Sequence, residues 1–525
     1  MMKTRNDTQG KTTRGNGDTM ALNSPLEMLD NLTIQPIRNN INLLKELHNA
    51  ASAGHTYIPE DILNATIEDP NDYRIVTDEG RVYLTQHWEA EVELAANTRQ
   101  LIDLPNYNTT MPTRPTTNPL IPTDDQWKAI SNAFTHPISI ICGYPGTGKT
   151  SLVQLLLHAI DTHPDFMHRW SRYQLAAPTG KAARRLTEAT TRDASTIHRL
   201  LGYNPNCGFM HNESFPLFGD FIIIDESSMI DIGLASALLK AVGTNGRIVF
   251  VGDAEQLPPI KPGRFFEELI KTDIIPKVTL TQVFRQAKKS LIVQNAHRII
   301  KGLVPYPDAD IAGADIEDTV HPDFIFVEKP THMISQAVTE LIKNRLPTKF
   351  KLDPMKDILT ISPMRPGAAG LDKLNDRIKK ELNSTGIPLG IDSFSVGDRI
   401  IQTQNDYTVD IMNGEIGTIL GFDIKQGTIH VDLGDRKIWI PDECLGSFLP
   451  GYAISIHRSQ GSQARVVIVI LDKGHRRMLN RRLINTAITR AQDLCIVIGQ
   501  WESLCKGVEQ NIEDARCDYI KRVCS

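Results

Sequence analysis

Residues 143–150 read "GYPGTGKT", a glycine, a short spacer and then a Gly-Lys-Thr triplet. This spacing suits a turn that grips phosphate. Glycines let consecutive backbone N–H groups converge on an anion, and the N-terminus of a following helix adds the positive end of its dipole. The pattern predicts that Gly143, Tyr144, Pro145, Gly146, Thr147, Gly148, Lys149, Thr150 and Ser151 surround ATP. Lys149 would reach the outer phosphates, and the Thr150 hydroxyl would ligate Mg2+. Such a turn needs an acid at the end of a neighbouring strand, and "FIIIDESSMID" (221–231) supplies one. Asp225 would hold the metal, and Glu226 would orient and deprotonate an attacking water. Two adjacent acids favour water as the acceptor, hence hydrolysis over transfer to another group. "VGDAEQLPPI" (251–260) closes a further apolar run, with Gln256 as the candidate sensor of the terminal phosphate.

These residues must be positioned by something, and the texture of the chain indicates what. Short apolar runs recur at "PISIICG" (137–143), "FIIIDES" (221–227), "GRIVFVGD" (246–253), "DILTISP" (357–363), "ARVVIVIL" (464–471) and "LCIVIG" (494–499), with helical segments between several of them. Continuous apolar strands of this kind belong to parallel sheets covered on both faces. One group precedes about residue 276 and another follows about 320, which predicts two α/β lobes, at 123–276 and 277–525. Between 392 and 450, short strands with Asn-Gly and Gly turns predict a small antiparallel β-barrel inserted in the second lobe. Residues 25–110 read as a mostly helical module; "AEVELAANTRQLI" (90–102) has helical spacing. A proline-rich linker covers 111–122, and 1–24 reads as a disordered tail.

The bulk properties are those of an ordinary soluble globular chain. There are 525 residues, and 57 basic against 62 acidic side chains give a net charge of −5, so any nucleic-acid contact must come from local patches. The seven cysteines form no CxxC pair and suggest free thiols in a reducing compartment. The chain has no run of 18 apolar residues, so a membrane partner is not expected and the cytoplasm is.

The ordered set of motifs resembles that of superfamily 1 helicases, and within them the RecD-like 5′-to-3′ group. "TDDQ" (123–126) sits where a Q-motif would, "APTGKAARRL" (177–186) is similar to motif Ia, and "STIHRLLGY" (195–203) to Ib. "LTQVFRQ" (280–286), "AISIHRSQGSQ" (453–463) and "NTAITRA" (485–491) resemble motifs IV, V and VI. "ISPMRPGAAGLDKLN" (361–375), the 397–417 stretch, "HTYIPEDIL" (55–63) and "EAEVELA" (89–95) also look RecD-like. Motif VI departs from its usual pattern, with Asn485 in place of an opening tyrosine. The resemblance implies two RecA-like lobes with ATP between them and single-stranded DNA lying across both. It implies that Gln126 reads the adenine edge, that Arg285 and Arg490 act as arginine fingers, and that Gly461 joins the nucleotide site. It also implies DNA contacts at Thr179, Thr196, His198 and His457; the two histidines could equally be structural. Residues 203–218 could form a β-hairpin pin that splits the duplex, or a plain loop. The basic run Arg476, Arg477, Arg481 and Arg482 is either a solvated face or a DNA-backbone contact. The implied partners are single-stranded DNA and duplex junctions, with recombination or replication proteins. Two other readings stay open: the motor subunit of a larger recombination nuclease, and an RNA-directed motor.

Overall fold

The computed structural model describes residues 40–116, 121–168, 172–282, 289–308, 322–390, 393–406, 408–434, 436–511, 517 and 519–524. The expected tail at 1–24 lies outside the described residues, as does Arg285. The N-terminal region comprises a helix Ile41–Ser52, strands β1 (Tyr57–Pro59), β2 (Ile75–Asp78) and β3 (Arg81–Leu84), and a long helix Thr85–Asp103. It is mostly helical, but it adds an antiparallel sheet in the order β1-β3-β2 that was not anticipated. Leu43, Leu47, Ile58, Val82 and Leu84 form its own small core. The helix Thr85–Asp103 buries Leu94 and Leu101 against the neighbouring lobe.

The first lobe is built on β4 (Ile138–Gly143), β5 (Tyr173–Ala177) and β6 (Ala194–Thr196). A short hairpin follows, β7 (Tyr203–Asn204) with β8 (Gly208–Phe209), and then β9 (Phe221–Ile224), β10 (Arg247–Gly252) and β11 (Lys277–Leu280). Its sheet runs β11-β4-β10-β9-β5-β6, with every pair parallel. The apolar run "FIII" is explained by alternation across two buried faces. Phe221 and Ile223 join Leu152, Leu156 and Val251 on one side; Ile222 and Ile224 join Ile138, Phe250 and Phe265 on the other. Because β11 pairs with β4, the first lobe continues past residue 276.

The second lobe contains β12 (Phe324–Glu328) and β13 (Ile358–Ser362). An insertion then supplies β14 (Arg399–Gln402), β15 (Ile416–Asp423), β16 (Thr428–Asp432), β17 (Lys437–Pro441) and β18 (Phe448–Pro450) before β19 (Ala453–Ser455), β20 (Ala464–Leu471) and β21 (Ala491–Gly499). The lobe's own sheet is parallel, in the order β12-β21-β20-β13-β19. The insertion is antiparallel, as its turns suggested, in the order β17-β16-β15-β14-β18. Among the described residues its hydrogen-bonded order runs from β17 to β18 without those two edges pairing.

One assignment is corrected by packing. Residues 277–525 were expected to form the second lobe, yet the terminal helix Tyr519–Cys524 docks on the first. Tyr519 and Val523 enter the same core as Leu94, Leu101 and Phe265. Arg522 donates to Asp78 (2.6 Å), Tyr83 (3.1 Å) and the buried Glu91 (3.4 Å). The segment leading into the linker is also pinned: the Arg247 guanidinium lies 3.8 Å over the Tyr107 ring, and the Tyr107 hydroxyl donates to Thr244 and Gly246 carbonyls. Among the described residues no helix is long and apolar enough to cross a membrane.

Candidate active site

The strand β4 ends at Gly143, and the helix Lys149–Thr162 begins six residues later, so the gripping turn is the connection between them. Two positions require glycine: Gly146 (φ 77°) and Gly148 (φ 80°) are left-handed, which lets successive amides face inward. Thr147 is buried and donates its hydroxyl to the Tyr144 carbonyl at 2.7 Å. The helix has no side-chain cap at Gly148, which leaves its first amides available to an anion. Lys149 Nζ donates to the Gly143 (2.6 Å) and Tyr144 (3.1 Å) carbonyls, at the edge of the turn.

A cleft of about 340 Å³ opens over this turn. The first lobe contributes Tyr144, Pro145, Gly146, Gly148, Lys149 and Thr150, together with Asp225, Glu226 and Gln256. The second lobe contributes Gln463, Thr489 and Arg490. Parallel strands deliver the acids, because β9 and β10 both end at this edge of the sheet. Burial, reinforced by the neighbouring Glu226 carboxylate, pushes Asp225 up to about 6. A divalent cation would relieve that burial, and the Thr150 hydroxyl lines the same cleft, so the pair fits Mg2+. Arg490 is fully desolvated, and its Nη2 donates to Gln256 Oε1 at 3.2 Å, joining the two lobes at the floor of the cleft. Further bonds hold it there: Nε donates to the Thr486 carbonyl (2.9 Å), Leu257 N to Thr486 Oγ1 (3.1 Å), and Gln460 Nε2 to the Leu257 carbonyl (3.0 Å). Asn485, the departure in motif VI, donates to the Glu255 carbonyl at 3.1 Å and so serves the same lobe contact.

Other sequence-derived candidates lie elsewhere. Gln126 completes a capping box with Thr123 at the start of the helix Asp124–Thr135 and does not line the cleft. Ser151 is exposed on the first helical turn beyond the cleft. Gly461 (φ 71°) packs on Thr179, whose hydroxyl caps the helix Gly180–Thr190. Thr196 caps the short helix Ile197–Leu200 in the same way, each cap contributing about 1 kcal/mol. His198 packs against the Tyr203 and Phe209 rings of the hairpin (5.5 and 5.8 Å), and burial lowers its pKa. The hairpin itself is shorter than 203–218: it closes at Phe209, and a separate tight turn pairs Asn212 with Phe215. His457 lines a second groove of about 710 Å³ with Lys261, Arg458 and Arg477. The basic run is thus divided. Arg482 pairs with Glu267 of the first lobe at 2.7 Å, Arg481 binds the Val508 carbonyl, and Arg477 faces the groove. Sequence reading assigned no role to Arg185 or Gln463, both in the cleft. Their motifs were visible, but which of two adjacent arginines faces the cleft depends on helix phase against a distant strand.

Three family models match parts of the chain: an AAA domain at 126–262, a UvrD-like helicase C-terminal domain at 450–498, and an ATP-dependent RecD-like DNA helicase SH3 domain at 374–433. The chain is 33% identical over 426 residues to an ATP-dependent RecD2 DNA helicase of Deinococcus radiodurans, covering 79% of this chain and 55% of that protein. It is 30% identical over 422 residues to the RecBCD enzyme subunit RecD of Mycolicibacterium smegmatis, covering 74% of this chain and 73% of that one. The chain belongs to the RecD-like helicases of superfamily 1. Among solved structures, a Pif1 helicase from Bacteroides in complex with ADP-AlF3 and ssDNA aligns with a TM-score of 0.43 and 16% identity, over 71% of this chain and 92% of that one. The lining of the cleft is divided between the two lobes.

Proposed function

We propose that the chain hydrolyses ATP in this cleft to move 5′ to 3′ along single-stranded DNA and to separate a duplex ahead of it. The observation that carries the reading is the division of the site: Lys149, Asp225 and Glu226 stand on one lobe, and Arg490 lines the same cleft from the other. Mg2+ held by Thr150 and Asp225 would neutralise phosphate charge. Lys149 and the turn amides bind and orient the phosphates; Glu226 takes the proton of the attacking water. Arg490 stabilises developing charge while tied to Gln256, so loss of the terminal phosphate loosens the lobes. Arg285, outside the described residues, is a second candidate finger. The groove at His457 and the helix ends at Thr179 and Thr196 are candidate strand contacts, and the hairpin at 203–209 is the candidate pin. Duplex junctions and recombination or replication proteins in the cytoplasm are the partners this reading calls for.

A second reading, a motor subunit that works only with partners, is supported by relatives named as subunits of the RecBCD enzyme. Strand displacement on duplexes with either a 5′ or a 3′ single-stranded tail separates the two, with Glu226→Gln alongside. Unwinding of the 5′-tailed substrate alone, lost in the variant, is the expected result. Unwinding from the 3′ tail overturns the polarity. DNA-stimulated hydrolysis without unwinding favours the subunit reading, and equal stimulation by RNA favours an RNA-directed motor.

A further inference from the structure

We propose that Arg185 is a positioning residue that restrains the Glu226 carboxylate and releases it when bound DNA shifts the helix Gly180–Thr190. The proposal rests on the reading of the chain as a DNA-stimulated ATPase.

The geometry starts at Glu226. Its backbone is left-handed (φ 52°, ψ 39°), an uncommon state for a non-glycine residue, which narrows the directions its side chain can take. Among the described residues Arg185 is the one cation within 4.0 Å of its carboxylate. The other cations of the cleft are engaged elsewhere: Lys149 with the carbonyls of Gly143 and Tyr144, and Arg490 with Gln256 and the Thr486 carbonyl. A carboxylate beside a guanidinium is drawn toward its partner, away from a water it must activate.

The helix that carries Arg185 has only 11 residues, and its N-terminal end meets the insertion and the Gly461 turn. A Cβ at Gly180 would stand 2.9 Å from Met412 of the insertion, and one at Gly461 would stand 3.0 Å from Thr179 Oγ1. At 1.5 Å per residue, Arg185 is only about 8 Å along the axis from Gly180. So short a helix moves as a rigid body. A displacement of the insertion or of the Gly461 turn that carries the helix with it displaces the guanidinium against Glu226, which stays with strand β9. Arg185 is partly exposed, with 40% of its side-chain surface accessible, so its replacement leaves the core intact.

Steady-state hydrolysis by the full chain, with and without oligo-dT, tests this on Arg185→Ala and Arg185→Lys. The expected result for Arg185→Ala is a DNA-free kcat raised about fivefold or more, an unchanged KM for ATP, and a stimulation ratio lowered by the same factor. Arg185→Lys, which keeps the charge with a single donor centre, falls between. A raised KM with no gain in the DNA-free rate overturns the proposal and makes Arg185 a nucleotide contact. Unchanged DNA-free and stimulated rates, or a fall in both, overturn it as well. If the unsubstituted chain shows no DNA stimulation, the functional reading fails and takes the proposal with it. Stimulation that persists at the same ratio in Arg185→Ala overturns the proposal alone.

Discussion

Asp225 carries the strongest electrostatic tension in the cleft. It sits desolvated at a strand end beside Glu226, and this pushes its carboxyl up to about 6, whereas a Mg2+ ligand must be ionised. An acid with a raised pKa is protonated below that value, so the carboxylate's contribution to binding Mg·ATP is present above about 6 and lost as pH falls through it. The nucleotide titrates in the same range, and Asp225→Asn isolates the protein's share. The affinity of the unsubstituted chain should exceed that of the variant widely at pH 7.5, and the ratio should shrink several-fold by pH 5.5. A ratio independent of pH would show that Asp225 is not the titrating ligand. The residue types of the site were legible in the sequence: Lys149, Thr150, Asp225, Glu226, Gln256 and Arg490 all line one cleft. Lys149, Thr150, Asp225 and Glu226 were legible because a phosphate grip and a strand-end acid are local patterns, whereas Arg490 followed only from the resemblance of the ordered motifs. Gln126, by contrast, satisfies a capping box, a helix-start pattern that also reads from sequence and that places its side chain against Thr123.

The elements that position these residues were legible where a signal was continuous. Strands β4, β9, β10, β13, β20 and β21 fall on the apolar runs because each is covered on both faces. Strands β1 to β3 were missed because they have three or four residues each, too few to show an alternation. The hairpin β7–β8 is only two residues per strand, so it reads as a turn. At this scale the contact between the Gly461 turn and the helix Gly180–Thr190 is the one to perturb. Gly461 is left-handed at φ 71°, and a Cβ there would lie 3.0 Å from Thr179 Oγ1 and 3.2 Å from Ala182 Cβ. Gly461→Ala should cost about 1–2 kcal/mol at the lobe contact. Each lobe's own core is untouched, so the main unfolding transition should stay in place while DNA-stimulated hydrolysis falls several-fold. Stimulation equal to that of the unsubstituted chain would mean that the turn and helix do not bear on each other during turnover.

Across the whole molecule, the two lobes are joined by more than the cleft. The Arg482–Glu267 pair crosses between them, and the chain returns after the helix Trp501–Glu509 to dock its last helix on the first lobe. No local pattern announces this return, because its partners lie more than 400 positions earlier, at Asp78, Tyr83 and Glu91. Tyr519 is fully buried and packs against Phe265 at 5.8 Å, and Arg522 shields a wholly buried Glu91 carboxylate. Removing the Tyr519 ring leaves a cavity in the shared core and should cost about 3–5 kcal/mol. Removing Arg522 takes a charge partner from Glu91, and its cost should not simply add to the first, since both act on one docked helix. The expected outcome is that Tyr519→Ala, Arg522→Ala and a chain ending at residue 510 all lower the midpoint of the first urea transition. The truncation should reach the level of the double substitution and no further, because both undock the same helix. If the truncated chain unfolds at the same midpoint as the full one, the terminal helix does not hold the first lobe and the N-terminal module together. A fall confined to a later transition would instead return residues 519–524 to the second lobe, where their position in the sequence alone would put them.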